Sequence, residues 1–528
     1  MRHYFLLVVT GTLLVDVTVG MYWPPVWWSM VVLGPLFALG FADYFQKKHT
    51  VLRNFPVLGH FRFWFEAIRP EINQYFVESD TDGVPFNREQ RSSVYQRSKG
   101  ALDTLPFGTR QDVYAVGYEW VHHSLRPCEV GSGGLRVRVG GPDCARPYTA
   151  SILNVSAMSF GALSCNAIMA LNRGAHLGNF AHNTGEGGLS HHHLQGGDII
   201  WQIGTGYFGC RTPDGRFDEG AFAGKARRDE VKMIEIKLSQ GAKPGHGGIL
   251  PAAKVSKEIA AIRMVPAGQD VISPPAHSAF STPFELMGYI ARLRDLCGGK
   301  PVGFKLCVGN KREMLAICKA MRQTGVTPDF ITVDGAEGGT GAAPVEFSNH
   351  IGRPLFDGLV IVHNALVGFS LRRDIRLFVS GKVTTGFDVV KRLALGADVC
   401  YSARAMMMAL GCIQALRCNT NHCPTGIATQ DPQLIEGLDP NDKAVRVQQY
   451  HAELMTSVSE IVGAMGLDHV SQLRPWHIHR RISDTEVRNY SDIFHYVRDG
   501  ELLGGDPPND FAHAMRCASP DTFEPVGV

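Results

Sequence analysis

The sequence predicts an α/β protein built on a (β/α)8 barrel, the TIM-barrel fold. From about residue 150, short apolar runs lead into glycine-rich loops and then into helical stretches, and the pattern repeats over about 250 residues. It supplies eight candidate strands, and strands that alternate with helices pair in parallel. Eight such units in this length of chain are typical of the barrel. An open doubly wound sheet is the competing fold, but no G-x-G-x-x-G sequence opens the first unit.

Composition limits the functional classes. The 528 residues carry a net charge of +2, which gives no reason to expect nucleic-acid binding. The twelve cysteines show no disulfide-framework spacing and indicate a reducing compartment. The chain is expected to contain a membrane hairpin, an irregular extension that packs on the barrel, the barrel itself and a C-terminal helical extension, at residues 1–45, 46–150, 151–430 and 431–528.

The first 45 residues predict a transmembrane helical hairpin. Two largely apolar stretches, 4–22 and 26–42, each have about the ~20 residues that span a bilayer, and tryptophans cluster at the bend between them. Basic residues flank both outer ends and are absent from the turn, so the rest of the chain is expected in the cytoplasm. The alternatives are a signal peptide over residues 1–20 and a first stretch kept from deep insertion by Asp16.

The eight candidate strands are short apolar runs, with helices predicted between several of them, for example over 314–324 and 387–395. The strands are predicted at 152–155, 179–182, 199–203, 233–236, 302–306, 330–333, 375–379 and 398–401.

In such a barrel the functional residues lie after the strands. Distinctive segments follow strands one, two, four and six, at 156–162, 183–188, 241–248 and 334–341. The segments 380–382 and 402–404 follow the last two strands and contain small residues suited to phosphate binding by backbone N–H groups.

Three cysteines, Cys412, Cys418 and Cys423, predict a soft metal centre in the loop 411–426, a few residues past strand eight. Iron–sulfur clusters are held by thiolates, and a final Cys-Pro recurs in such loops. Three ligands indicate a cluster of the [3Fe–4S] type. Zinc with His422 as the fourth ligand is the alternative, although the usual Cys-x2-Cys pair is absent from the sequence.

Taken together, these segments resemble the synthase domain of the glutamate synthase family. The resemblance covers roughly residues 100–470, and the order and spacing of its motifs are specific. It rests on the segments 157–161, 185–188, 243–245, 254–255, 272–275, 334–335, 338–344, 385–389 and 411–430.

The resemblance implies a barrel that binds FMN beside a [3Fe–4S] cluster. It implies an electron donor, a ferredoxin or a reductase subunit, that delivers electrons through the cluster to FMN. The product would be L-glutamate, made by reduction of 2-iminoglutarate that forms from 2-oxoglutarate and ammonia.

Site residues carry over from the resemblance by motif. Glu186, Lys243 and Lys305 are the catalytic candidates; Glu186 would line the ammonia route and Lys305 the N1/O2 edge of the flavin. The substrate candidates are Met158, Ser159, Lys243 and Arg263. The flavin candidates are Ala157, Met158, Lys305, Gly338, Gly339, Ser380, Gly381, Ser402, Ala403 and Arg404.

Three of these residues have structural alternatives. Lys305 could form a structural ion pair, Arg263 could be a solvated charge on its helix, and Glu186 could only order its glycine-rich loop.

The chain departs from the large members of the family. His246 and Ile249 stand where those enzymes carry a glutamate and a substrate-binding glutamine, and Ile249 cannot hydrogen-bond an oxo acid. No glutaminase domain is expected, so nitrogen would come from free ammonia, an amine or a separate amidotransferase. The open alternatives are a related oxo acid or amine, as in N-alkylglutamate synthesis, and a membrane-tethered flavin and iron–sulfur electron-transfer module.

Overall fold

Eight parallel strands close into a barrel, which confirms the predicted fold class. The structure is a computed structural model that describes residues 2–527. Each strand pairs with the next along the chain, and the last pairs with the first through Ser402 and Val155. The strands are β1 Leu153–Val155, β2 Ala181–Asn183, β3 Asp198–Ile203, β4 Val231–Lys237, β5 Val302–Leu306, β6 Phe330–Asp334, β7 Arg376–Ser380 and β8 Val399–Ser402.

All eight strands lie where the sequence predicted them, with shifts of one or two residues at most ends. The starts of β2 and β4 each shift by two residues, and β2 was predicted to begin at residue 179. Asn179 instead has left-handed backbone angles and ends the preceding helix, with its N–H bonded to carbonyls of the last turn. Asparagine tolerates this conformation and often terminates helices.

One end of the barrel is filled by apolar side chains and covered by a two-stranded hairpin, Arg136–Val139 paired with Tyr148–Ser151. Val139 and Ala150 of the hairpin belong to one buried cluster with the first residues of three strands, Ala181, Phe330 and Val399. This amino-terminal end is therefore closed, and the loops at the carboxyl ends of the strands are left to form a site.

The helices between and after the strands begin at well-defined caps. Thr282 and Thr385 form capping boxes with Glu285 and Asp388, which satisfy the first backbone N–H groups. The α-helices of the barrel unit and its extension are Arg88–Ser98, Cys165–Gly178, Glu219–Ala226, Lys257–Arg263, Pro283–Leu296, Lys311–Thr324, Val345–His350, Leu355–Gly368, Gly386–Ala394, Arg404–Leu410, Pro432–Glu436, Pro440–Ala464, Tyr490–Ile493 and Asn509–Cys517.

Further strands and short helices complete the fold. The longest helix, Pro440–Ala464, packs closely on Cys165–Gly178, where a side chain in place of Gly174 would meet Val447. The remaining strands are Glu119–Val121, Ile249–Leu250, Val271–Ile272, Ile478–Arg481 and Val487–Asn489. The 3-10 helices are Pro24–Ser29, Ser132–Leu135, His191–His193, Ala252–Lys254, Val470–Gln472, Pro475–His477 and Glu501–Leu503, and Asn73–Val77 is a π-helix.

The chain divides into two compact units, Met1–Arg88 and Glu89–Val528, whose terminal residues Met1 and Val528 lie outside the described part of the chain. The first unit contains the α-helices Arg2–Gly20, Met30–Phe45, Thr50–Asn54 and Gly59–Ile72, joined by turns. The boundary at residue 88 separates two groups of residues, each of which makes most of its contacts within itself. The four domain boundaries expected from the sequence stay predictions.

Two segments of the first unit, His3–Gly20 and Pro24–Phe45, are long and apolar enough to cross a membrane. Only 17% and 6% of them are buried, whereas a core helix of a soluble protein would be mostly buried. Asp16 is buried and its Oδ2 accepts a hydrogen bond of 2.9 Å from Ser29 Oγ. The one acidic group of the first segment is thus partnered within this unit.

Candidate functional site

A cleft lies over the carboxyl end of β4, beside the Lys-Pro-Gly loop that carries the substrate candidate Lys243. Glu186, which follows β2, and Lys237, the last residue of β4, face each other across it. The lining residues are Glu186, Thr205, Lys237, Leu238, Ser239, Gln240, Gly245, His246, Gly247, Gly248, Pro274 and Pro275.

The Glu186 carboxylate is the electrostatic centre of the cleft. Lys237 Nζ donates to Glu186 Oε1 at 2.7 Å and to Gln240 Oε1 at 2.9 Å. Burial alone would raise the pKa of Glu186, but the charges of Lys237, Arg263 and Lys243 outweigh it, and the pKa is lowered. Glu186 therefore carries a negative charge among three cations.

Arg263 is buried beside this carboxylate, at the C-terminal end of the helix Lys257–Arg263. Its guanidinium donates to the carbonyl of Phe160 at 3.1 Å and to Ser159 Oγ at 3.4 Å. Burial lowers the pKa of Arg263 to about 10, so the group stays protonated at neutral pH. The side chain is 4% exposed, so it is not the solvated charge that was the alternative interpretation.

Lys243 is also buried, and its ammonium donates to the carbonyl of Ala342 at 2.8 Å. This bond joins the Lys-Pro-Gly loop after β4 to the glycine-rich loop after β6. Asp334 Oδ2 adds a second link between the loops, because it accepts from the backbone N–H of Gly241 at 2.8 Å. Burial lowers the pKa of Lys243, and neighbouring Lys237 lowers it further, while Glu186 opposes both effects.

The loops after β1 and β2 meet at Gly185. A Cβ at Gly185, whose φ is +65°, would lie 2.9 Å from the backbone N of Ser159, so this close approach requires glycine. Met158 is buried beside it, and Ala157 is half-buried. The predicted flavin and substrate residues of strand one are thereby packed against the loop that carries Glu186.

Lys305 lies on β5, and its Nζ is 3.9 Å from Asp334 Oδ2. This distance makes an ion pair but is too long for a hydrogen bond. Asp334 Oδ2 accepts a hydrogen bond from the Gly241 N–H instead. Lys305 is thus a buried cation at the carboxyl end of the barrel, whose ammonium donates no hydrogen bond to any described residue.

The predicted phosphate segments lie side by side because β7 and β8 are neighbours and Ser380 pairs with Tyr401. The guanidinium of Arg404 donates to the carbonyl of Glu337 at 2.5 Å. A Cβ at Gly339 would lie 2.8 Å from the Arg404 side chain, so the two loops approach each other closely here. The structure therefore brings together the predicted residues Gly338, Gly339, Ser380, Gly381, Ser402, Ala403 and Arg404 from three loops.

The three cysteines lie on one irregular loop that follows the helix Arg404–Leu410. Gln414, Leu416 and Asn421 have left-handed backbone angles, which fold the loop back on itself. Burial raises the pKa of Cys412 to about 11, and Cys418 and Cys423 add to this effect, so the three thiols are neighbours.

The environment of Cys423 favours a thiolate. Burial raises the pKa of Cys423, but the hydroxyl of Thr425 and backbone N–H groups of the loop outweigh it, so that the pKa is lowered. Thr425 Oγ1 lies 3.4 Å from the Cys423 sulfur. N–H and O–H donors aimed at sulfur suit a thiolate that binds metal.

A second group of potential metal ligands lies outside the cysteine loop. Among residues 2–527, His191, His192 and Glu258 place three ligand atoms within 4.8 Å of one another.

Sequence reasoning missed Lys237 and gave no role to Gln240 or Asp334. The available signal was position: Lys237 and Asp334 are the last residues of barrel strands, where a barrel places functional groups. Their partners are remote in sequence, since Glu186 lies 51 residues before Lys237.

Known proteins resemble this chain in sequence. A family model described as "Conserved region in glutamate synthase" matches residues 145–468. A glutamate synthase large subunit-like protein, YerD, of Bacillus subtilis is 37% identical over 85% of this chain and 93% of its own length. An archaeal glutamate synthase [NADPH] of Methanocaldococcus jannaschii is 38% identical over 61% of this chain and 60% of its own length. The chain thus spans about three fifths of that archaeal enzyme.

Solved structures match the chain at low similarity. A mandelate oxidase variant with a monooxide FMN adduct is 14% identical, covers 77% of this chain and 94% of its own, and gives a TM-score of 0.39. A flavocytochrome b2 variant with pyruvate bound is 13% identical, covers 79% of this chain and 85% of its own, and gives a TM-score of 0.40. These values carry no information about the site.

Proposed function

The chain belongs to the glutamate synthase family, and from that premise we propose that its barrel makes L-glutamate by reductive amination of 2-oxoglutarate with FMN and a [3Fe–4S] cluster. The observation that supports this proposal best is the charge of the cleft. The charges of Lys237, Lys243 and Arg263 all act on the carboxylate of Glu186, so three cations lie near one carboxylate. A dianionic oxo acid supplies the matching charge.

The cations have distinct roles in this proposal. Arg263, anchored by Ser159 and Phe160, presents a planar donor group suited to a carboxylate. Lys243 supplies a second buried cation from the opposite loop. Together they would bind the carboxylates of 2-oxoglutarate and orient its C2 carbonyl over the barrel.

Glu186 would accept a proton from the incoming nitrogen nucleophile. Addition of ammonia to the C2 carbonyl and loss of water yield 2-iminoglutarate, and addition of a hydride to C2 and of a proton to the imine nitrogen then yields glutamate. Lys237 holds Glu186 Oε1 at 2.7 Å, keeps it ionised and fixes its position for the proton transfer. Both residues line the same cleft.

The residues present fit FMN. Bound FMN would supply the hydride that reduces the imine. Gly381 has no side chain and Ala403 has only a methyl group, which suits binding of a phosphate by backbone N–H groups after β7 and β8. Lys305, whose ammonium donates no hydrogen bond to any residue in 2–527, would place a cation at the flavin ring.

The cysteine loop fits a [3Fe–4S] cluster. Bound there, the cluster would carry electrons one at a time from the donor toward the barrel. Cys412, Cys418 and Cys423 are neighbouring thiols, and hydrogen-bond donors face Cys423. The electron donor would be a ferredoxin or a reductase subunit, and nitrogen would come from free ammonia or a separate amidotransferase.

A second candidate substrate class is favoured by an apolar rim beside the cleft. Ile249 and Ile272 face each other across a short antiparallel pair and are 38% and 67% exposed. Gly248, next to Ile249, lines the cleft against Glu186. A nucleophile or oxo acid with an alkyl group would cover this rim, which supports N-alkylglutamate synthesis as the alternative reaction.

Membrane attachment through residues 1–45 is part of the proposal. The two exposed apolar segments are long enough to form a hairpin, which would leave the barrel in the cytoplasm. An anchored barrel would meet its electron donor at the membrane surface.

The reaction is tested with anaerobically purified, full-length protein reduced by light. Reduced flavin should be reoxidised only when 2-oxoglutarate and a nitrogen source are both present. Methylamine in place of ammonium separates the two candidate products. Reoxidation by neither combination, with any oxo acid, would favour an electron-transfer module instead.

A further inference from the structure

Lys254 is a buried lysine at the boundary between the cysteine loop and the substrate segment. It ends the short 3-10 helix Ala252–Lys254 and is 2% exposed. The segment that carries it runs from Lys243 to Arg263, the two residues expected to bind the oxo acid. We propose that Lys254 is a positioning residue that raises the reduction potential of the [3Fe–4S] cluster and fixes the cluster loop to the substrate segment. This inference rests on the cluster of the proposed function.

The ammonium of Lys254 donates hydrogen bonds to three backbone carbonyls, one for each of its N–H groups. Its Nζ donates to Cys418 O at 2.8 Å, to Ala428 O at 2.8 Å and to Ala162 O at 3.3 Å. An ammonium has three N–H donors and a neutral amine has two. The arrangement therefore specifies the charged form of the side chain.

These three carbonyls come from different parts of the fold. Cys418 lies inside the cysteine loop, Ala428 just after it, and Ala162 in the loop that follows β1. One side chain thus holds the cluster loop, the first barrel loop and the substrate segment in a fixed arrangement.

The positive charge of Lys254 has no carboxylate to balance it. Within residues 2–527, no Asp or Glu oxygen lies within the 4.0 Å that defines an ion pair with its Nζ. Burial lowers the pKa of Lys254, and the groups that oppose this effect are the thiols of Cys418 and Cys423. A buried, unpaired cation is costly, and an anionic cluster bound by these thiolates would offset that cost.

The sign of the effect on the cluster follows from electrostatics. Reduction adds negative charge to the cluster, and a nearby fixed cation stabilises the reduced form more than the oxidised form. The potential of an iron–sulfur cluster depends on its net charge and on the hydrogen bonds around it. Removal of the Lys254 charge should therefore make the cluster harder to reduce.

The test is a potentiometric titration of the cluster in full-length, anaerobically purified holoenzyme, followed by electron paramagnetic resonance. In Lys254→Met the equilibrium constant for one-electron reduction should fall about tenfold or more, which is a midpoint lower by about 59 mV. Lys254→Arg, which keeps the charge, should stay within about threefold of the unmodified protein.

Lys300 provides the matched control. It is a buried lysine whose ammonium donates to two carbonyls, of Ala226 and Arg228, near the amino-terminal end of β5. Lys300→Met should leave the midpoint unchanged. An unchanged midpoint in Lys254→Met, or an equal shift in Lys300→Met, would overturn the inference.

Cluster loss in a variant is also decisive. If Lys254→Met holds FMN but no cluster, Lys254→Gln is titrated instead, and a lowered midpoint supports the inference while an unchanged one overturns it. Retention of the cluster by Lys254→Arg alone supports a need for the charge. Loss in all three variants overturns the electrostatic role. Failure of the proposed function is distinct, because the unmodified protein would then show no [3Fe–4S] signal.

Discussion

Lys237 Nζ and Glu186 Oε1 form a 2.7 Å ion pair in the cleft over the barrel, between residues that lie 51 positions apart in the sequence. Each side chain is mostly buried, at 12% and 17% exposed. A buried pair of this kind is weak evidence for stability, because desolvation offsets much of the attraction. We therefore interpret this pair as one that controls the charge and position of the Glu186 carboxylate in the proposed reaction.

Loss of Lys237 should therefore change the pH dependence of the reaction. The pKa of Glu186 is lowered in the folded protein, so its ionised form persists at neutral pH and is lost only as pH falls through that lowered pKa. Lys237→Met should raise the pKa and move the acidic limb of the kcat/KM profile to higher pH. Lys319→Met, a lysine bonded to two carbonyls elsewhere, is the control. An acidic limb that does not move would show that Lys237 does not control the ionisation of Glu186.

Substitution of Lys243 by alanine should damage substrate use more than cofactor content. The buried ammonium is one of two cations expected to meet the carboxylates of the oxo acid. A charge-assisted hydrogen bond contributes about 1.5–3 kcal/mol, so kcat/KM for 2-oxoglutarate should fall roughly ten- to hundredfold. The measurement pairs steady-state kinetics with the flavin absorbance of the purified variant. Equal loss of flavin and activity would assign Lys243 a structural role.

Substitution of Cys418 by serine should remove the iron–sulfur centre. A serine hydroxyl is a poor substitute for thiolate, so the low-temperature paramagnetic signal and the brown colour should disappear while FMN stays bound. Cys165→Ser, at a half-buried cysteine outside the loop, should leave both intact. A signal that survives in Cys418→Ser would show that the ligand assignment is wrong.

Exchange of Ile249 for glutamine should alter the choice of nitrogen source. The exposed Ile249–Ile272 pair offers apolar contact but no hydrogen bond. With Ile249→Gln, the ratio of kcat/KM for ammonium to that for methylamine should rise by about tenfold, close to the ~0.8 kcal/mol per buried methylene plus a new polar contact. Leu503→Gln, at another exposed apolar position, is the control. A ratio that stays constant would show that the apolar rim plays no part in substrate selection.

The N-terminal helices should hold the protein in the membrane. Alkaline carbonate washing should leave the full-length chain in the membrane pellet, because two apolar segments resist extraction. Val8→Arg together with Val32→Arg places charges in both segments and should release it, since a central arginine costs about 2.5–3.5 kcal/mol on insertion scales. Val445→Arg, on the exposed side of a long helix, should have no effect. Release of the unmodified protein by carbonate would contradict a transmembrane hairpin.

The barrel could be predicted from the sequence because its pattern of apolar runs and loops is local and repeated. Each strand is an apolar run followed by a glycine-rich loop, and the eight runs were placed to within a few residues. The helix Gly59–Ile72 was not predicted, because its phenylalanines and tryptophan alternate with charged residues and Pro70 lies inside it. An aromatic-rich stretch of this kind gives no clear helical periodicity.

The site was accessible only in part. Motifs pointed to Glu186, Lys243 and Arg263 through a family resemblance, and in the structure the charges of Lys243 and Arg263 act on the carboxylate of Glu186. Lys237 and the three carbonyl contacts of Lys254 could not be derived, since such pairings join loops remote in sequence and depend on how the loops fold over the strands. Close approaches such as Gly185 to Ser159 are likewise visible only in three dimensions.

The synthase activity is tested most directly by following nitrogen into the product. Full-length protein, purified without oxygen and reduced by light, is mixed with 2-oxoglutarate and heavy-nitrogen ammonium, and the products are separated for mass spectrometry. L-glutamate that carries the heavy nitrogen, in stoichiometric proportion to flavin reoxidised, is the predicted result. Reoxidation of the flavin without labelled glutamate or an N-alkyl relative, or a purified protein with neither flavin nor iron, would contradict it.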